Sequence, residues 1–219
     1  MLRLIVFDLD GTLIDSRQDL ADSANALLAT FDAPPLPDAA VVAMVGEGAR
    51  TLVSRVLDAA GVTTDIDRAL ARFLALYVDR LTNHTHLYPG AADTVAALAS
   101  GGVAMSVLTN KPLAPTLRLL DHFGLADRFV QCVGGDGPLG RKPEPAGLLS
   151  LMAQASATGA DTLMVGDSWV DIETARRASA RACFAAYGFG LPPTDGLRAD
   201  ESRIERFDAL LSLVDGVQS

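Results

Sequence analysis

Continuous apolar runs that stop abruptly at Asp, Thr or Gly alternate with stretches of helical periodicity along most of the chain. The runs occupy 4–7, 103–108, 129–133, 162–165 and 182–186. None alternates polar with apolar, which is the pattern of strands covered on both faces in a parallel sheet. Between them Leu117, Leu119, Leu120 and Phe123 form a helical stripe closed by Gly124, and Ile172, Ala175, Arg176 and Ala178 mark another helix after the fourth run. The pattern predicts an α/β fold in which parallel strands are joined by crossover helices.

The stretch 15–87 interrupts that rhythm. It carries no convincing strand, yet separates the first run from the second by far more than one crossover helix requires. Leu20, Ala24, Leu27, Leu28 and Phe31 share a helical face, Pro34-Pro35-Leu36-Pro37 breaks it, and Leu70, Phe73, Leu74, Tyr77 and Leu81 define a longer helix. We expect a small all-helical insertion over 15–87 in a core made of 1–14 and 88–219, with Tyr88-Pro89-Gly90 as the hinge between them.

Composition narrows the function classes. The 219 residues are 49% apolar and 21% charged, with a mean hydropathy of +0.26, enough apolar surface for a packed core. A net charge of −9 and a pI near 4.7 argue against a nucleic-acid partner, and require a local cation or metal wherever an anion is to bind. Cys132 and Cys183 lie in apolar surroundings without a CxxC pattern, so buried reduced thiols are expected. With no signal-like segment and no apolar stretch of membrane-spanning length, the expectation is a soluble cytoplasmic protein, monomer or homodimer, without a membrane partner.

The strongest local chemistry is Phe7-Asp8-Leu9-Asp10-Gly11-Thr12-Leu13 at the end of the first run. Carboxylates at i and i+2 leave an extended segment on one side and can converge on one cation or reacting atom. Packed against an apolar run, they need a metal or a lysine to offset repulsion and desolvation. Two further strand ends, Thr109-Asn110 and Gly166-Asp167-Ser168-Trp169-Val170-Asp171, would face the same crevice, because ligands in open parallel sheets bind beyond the carboxyl ends of the strands. Clustered carboxylates of this kind suit a hard divalent cation such as magnesium. The chain holds only two lysines, Lys111 and Lys142. Locally, Lys142 reads as a solvent-facing residue in a proline-flanked loop. The loop 135–142 has the glycine spacing of a P-loop but fails as one: Arg141 separates Gly140 from Lys142, and Pro143 follows where Ser or Thr is required.

Asp8-Leu9-Asp10-Gly11-Thr12, Thr109-Asn110, Lys142 and Gly166-Asp167-Ser168 with Asp171 resemble, in order, the four motifs of the haloacid dehalogenase superfamily. Asp15-Ser16 with Asp19-Leu20, 46–50, Tyr88-Pro89-Gly90, Thr109-Asn110-Lys111-Pro112 and Gly134-Gly135-Asp136 resemble its phosphoglycolate phosphatases. Two positions depart from that subfamily: Gly137 where Ser is usual, and Trp169-Val170 in place of a more polar pair. The resemblance implies a Rossmann-like core with a helical cap and magnesium-dependent hydrolysis of a small anionic phosphomonoester. It makes Asp8 the nucleophile and Asp10 the acid and base. Lys142, Thr109 and Asn110 would surround the phosphoryl oxygens. Asp8, the Asp10 main-chain carbonyl and Asp167 would hold the metal, with Asp171 assisting through the metal's water shell or through Lys142.

Within the superfamily, Asp10 argues against a dehalogenase, which needs no acid for an alkoxide. The absence of lysine from 15–87 excludes a Schiff-base phosphonate hydrolase. A sugar-phosphate phosphatase or phosphomutase and a non-catalytic regulatory module remain as alternatives to 2-phosphoglycolate hydrolysis. Arg50 is the candidate in the insertion for a substrate carboxylate, against its reading as an exposed helix arginine. His84 and His86 read as part of a polar loop.

Overall fold

The computed structural model describes residues 2–218. Along the chain the elements are β1 (Leu4–Phe7), β2 (Ile14–Asp15), α1 (Arg17–Ala29), α2 (Asp38–Val42), α3 (Ala49–Ala59), α4 (Ile66–Val78) and β3 (His86–Leu87). Then follow α5 (Ala91–Ser100), β4 (Ala104–Leu108), α6 (Leu113–His122), β5 (Gln131–Val133), α7 (Ala146–Gln154), β6 (Thr162–Gly166), α8 (Trp169–Arg177), β7 (Arg181–Ala185), β8 (Ser202–Ile204) and α9 (Ala209–Gln218). Six strands form one parallel sheet in the order β5-β4-β1-β6-β7-β8, so β1 is central, flanked by β4 and β6.

The period of two along a strand sends alternate side chains to opposite faces. On β1, Ile5 and Phe7 join a core with Met105, Val107, Leu163 and Val165, whereas Leu4 and Val6 pack with Met164, Leu148 and Ile172 beneath α7 and α8. Both faces are apolar because both are covered, which explains the continuous runs.

Two expectations need correction. The stretch 15–87 is not free of strand: β2 and β3 pair antiparallel, Ile14 with Leu87 and Asp15 with His86, bringing the two ends of the inserted segment side by side. Strands of two residues are too short to impose a pattern. The sixth strand, β8, is likewise invisible in the hydropathy, since Ser202 and Arg203 at the sheet edge face partly outward. Cys183 is buried as expected, but Cys132 is only half-buried.

Between β2 and β3, α1 packs on α2, α3 and α4, and α3 on α4. Asp19 of α1 fastens this group to the chain entering β3. Its buried carboxylate accepts from the backbone N–H groups of His84 and Thr85 and from the Thr85 hydroxyl, at 2.7–3.0 Å. His84 and His86 are themselves exposed, in keeping with a polar loop.

Candidate active site

The carboxyl ends of β1, β4 and β6 converge on one crevice, and the loop after β5 adds Lys142. Close approach depends on glycine. Gly11 adopts φ +87°, and a Cβ there would stand 1.9 Å from Asp167 Oδ2. Asp8, Asp167 and Asp171, all buried, bring carboxylate oxygens within 4.8 Å of one another.

Both lysines of the chain are buried here. Lys142 Nζ lies 2.7 Å from Asp8 Oδ1 and 2.5 Å from Asp171 Oδ1, so the solvent-facing local reading is overturned. Two carboxylates raise its basicity more than burial lowers it, pushing the ammonium up to about 12. Lys111 Nζ donates to both Asp10 oxygens, at 2.9 and 3.0 Å, and to Tyr77 Oη at 2.5 Å. Burial works against its charge, but Asp10 and Tyr77 hold it above the ordinary lysine value. Ser16 Oγ donates to Asp10 at 2.6 Å.

Sharing one lysine leaves Asp8 under-compensated. Burial first, then the Asp171 and Asp10 charges, push its carboxyl up to about 6 against the pull of Lys142. Asp167 is likewise raised well above the ordinary carboxylate range, by burial and then by Asp8 and Asp171, and its Oδ2 is met only by the Phe189 and Gly190 amides, at 3.0 and 2.7 Å. Four clustered carboxylates thus face two ammonium groups, and Asp167 has no ammonium partner among the described residues. This donor set fits a hard divalent cation, which would supply the missing charge.

The remaining predicted residues divide by where they point. The Thr109 hydroxyl accepts from Lys111 N at 3.2 Å and lines the crevice. Asn110 also lines it, but its side-chain amide is committed elsewhere: Nδ2 donates to the carbonyls of Gly46 and Lys142, and Oδ1 accepts from Lys142 N. Asn110 therefore ties the lysine loop to the loop before α3. Asp171 has both oxygens engaged, one by Lys142 and the other by the Ser168 backbone and hydroxyl, the latter as a helix N-terminal capping box. Of its two expected modes of assistance, the geometry displays the one through Lys142.

Arg50 is not brought to the site. It projects from the first turn of α3 to an exposed ion pair with Asp67 of α4, while its neighbours Ala49 and Leu52 line the crevice instead. One residue along a helix turns the side chain by about 100°, and that rotation separates Arg50 from Ala49. Two participants were not assigned from sequence. Lys111 carried a signal in the scarcity of lysine, whereas Tyr77 sat unmarked in an apolar helical stripe.

The crevice continues into a small cavity of about 60 Å³, closed from above by Leu20, Val45, Leu52, Phe73, Leu74 and Tyr77.

Residues 5–185 match the family model of the haloacid dehalogenase-like hydrolases. Among curated proteins, the phosphoglycolate phosphatase of Rhodospirillum rubrum is 40% identical, across 98% of this chain and 90% of its own length. Phosphoglycolate phosphatase 1 of Pseudomonas aeruginosa is also 40% identical, across 85% of this chain and 70% of its own. The crystal structure of a predicted phosphoglycolate phosphatase from Haemophilus somnus superposes with a TM-score of 0.92 at 30% identity, covering 97% of this chain and 98% of that one. With a parallel sheet that presents its carboxylates at the strand ends, and with this similarity over nearly its whole length, the chain belongs to the haloacid dehalogenase-like hydrolases.

Proposed function

We propose that the protein is a phosphatase that hydrolyses 2-phosphoglycolate through a phosphorylated Asp8, with residues 15–87 as the cap over the site. One observation carries the reading: Asp8 and Asp10 stand together at the end of β1, each with its own buried lysine. Lys142 binds one oxygen of Asp8 and can neutralise charge on a phosphoryl group brought against the other. Asp8 attacks phosphorus, the P–O bond to the leaving group breaks, and Asp10 gives its proton to the departing alkoxide. Asp10 then takes a proton from the water that hydrolyses the acyl phosphate, which frees Asp8 and releases inorganic phosphate. Thr109 and the Asn110 main chain complete the phosphoryl pocket, and Asp171 positions Lys142.

Magnesium fits the excess of carboxylate. Asp8 and Asp167, with the Asp10 main-chain carbonyl, would hold it, and when bound it supplies charge neutralisation for the phosphoryl oxygens. A sugar phosphate is a poorer match, because sugar hydroxyls require hydrogen-bond partners and the cap wall of the cavity is apolar apart from Tyr77. The test is phosphate release from 2-phosphoglycolate and a panel of sugar phosphates, with magnesium and with excess chelator. The reading expects 2-phosphoglycolate to be preferred and magnesium to be required. A preference for any sugar phosphate would defeat it.

A further inference from the structure

Resting on the phosphoglycolate reading, we propose that Lys111 of the core and Tyr77 of the cap together form the subsite for the substrate carboxylate. A glycolate carboxylate entering the cavity meets aliphatic and aromatic side chains on its cap side, and Arg50 is turned away to Asp67. Lys142 is held between Asp8 and Asp171 and does not line the cavity. Lys111 is the ammonium that reaches the lining, beside the only phenol hydroxyl there.

That hydroxyl is chemically incomplete. Tyr77 Oη accepts a hydrogen from Lys111, and its own hydrogen has no acceptor among the described residues although the residue is only 2% exposed. An ammonium and an unsatisfied phenol hydrogen, one beside the other, match the two oxygens of a carboxylate. The ring is held in place by stacking on Phe73, with centroids 6.0 Å apart, and by Lys111 Nζ 4.4 Å from its own centroid. Because one partner comes from each side, the subsite exists only while the cap is closed, as the Asn110 bond to the Gly46 carbonyl holds it here.

The test uses two non-hydrolysable ligands of matched length, 3-phosphonopropionate and propylphosphonate, which differ in the carboxylate. Binding to the magnesium-loaded full-length protein is measured by calorimetry for the wild type, Tyr77→Phe and Lys111→Met. Tyr77→Phe keeps the ring on Phe73 and serves should Lys111→Met fail to fold. The wild type is expected to prefer 3-phosphonopropionate, and each folded variant to lose that preference by roughly ten-fold or more, the effect of one charged hydrogen bond. A wild-type preference that survives in either folded variant, or equal weakening of both ligands, overturns the joint subsite while leaving the phosphoglycolate reading intact. No preference in the wild type overturns both.

Discussion

At the scale of single residues, the site is a problem in compensating buried charge, and its two lysines are placed where the cost is greatest. Asp8→Asn removes the proposed nucleophile with almost no change in shape, so phosphate release should fall by more than about 10³-fold while the unfolding profile stays cooperative. The same carboxyl gives a pH signature in chelator-treated protein. Its folded value is about 6 and its unfolded value 3.8, so the folded state binds the extra proton between them. Stability from this group is therefore full below pH 4 and is lost as pH rises through 6. Asp8→Asn abolishes that loss, and its stability relative to the wild type should increase by about 1–3 kcal/mol from pH 4 to pH 7.5. Melting curves across that range check the sign; a constant difference would mean that Asp8 is ordinary in the folded protein. The family motif placed Lys142 around the phosphoryl group without pairing it with Asp8, and nothing in the sequence paired Lys111 with Asp10, because one hundred residues of chain separate them and no local pattern links them.

At the scale of elements, the turns and caps around β1 determine whether the carboxylates can meet. Gly11→Ala would place a methyl group in the space of the Asp167 carboxylate while straining a positive φ, so we expect at least about 1–2 kcal/mol of lost stability and a several-fold weaker response to magnesium in phosphate-release assays. Asp19→Ala tests the junction of α1 with the chain entering β3. It strands the buried Thr85 N–H and hydroxyl and the part-buried His84 N–H, and urea denaturation should show a loss of about 3 kcal/mol or more. If the loss were below 1 kcal/mol, Asp19 would not be what fastens α1 to β3. The long helices α1 and α4 and the strands β1, β4, β5, β6 and β7 were legible as patterns, because burial on one or both faces constrains their residues. The two-residue strands β2 and β3 and the polar edge strand β8 were not, since pairing there is decided by backbone geometry and by neighbours distant in sequence.

At the scale of the whole molecule, a net charge of −9 surrounds a pocket meant for an anion, and the pocket itself still carries more carboxylate than ammonium. A divalent cation that binds only the folded form should therefore raise the melting temperature, by the equivalent of about 2.7 kcal/mol at one hundred times its dissociation constant. Chelation should silence phosphate release and added magnesium restore it. Full activity in excess chelator would exclude the metal from the mechanism. No helix among the described residues is long and apolar enough to cross a membrane. Hydropathy alone specified the doubly covered parallel sheet and the helical insertion, because the strands' continuous burial and the helices' 3.6-residue period are written locally into the chain. The motifs specified which carboxylates gather at the strand ends, since the position of a residue just after a strand fixes which edge of the sheet it occupies. The direction of Arg50 and the pairing of Lys111 with Tyr77 depend on how the helices of 15–87 rotate and settle onto the core, and the engagement of both Asp171 oxygens depends on where the Lys142 loop meets the start of α8. Those rotations arise from packing between residues far apart in sequence, and no local pattern encodes them.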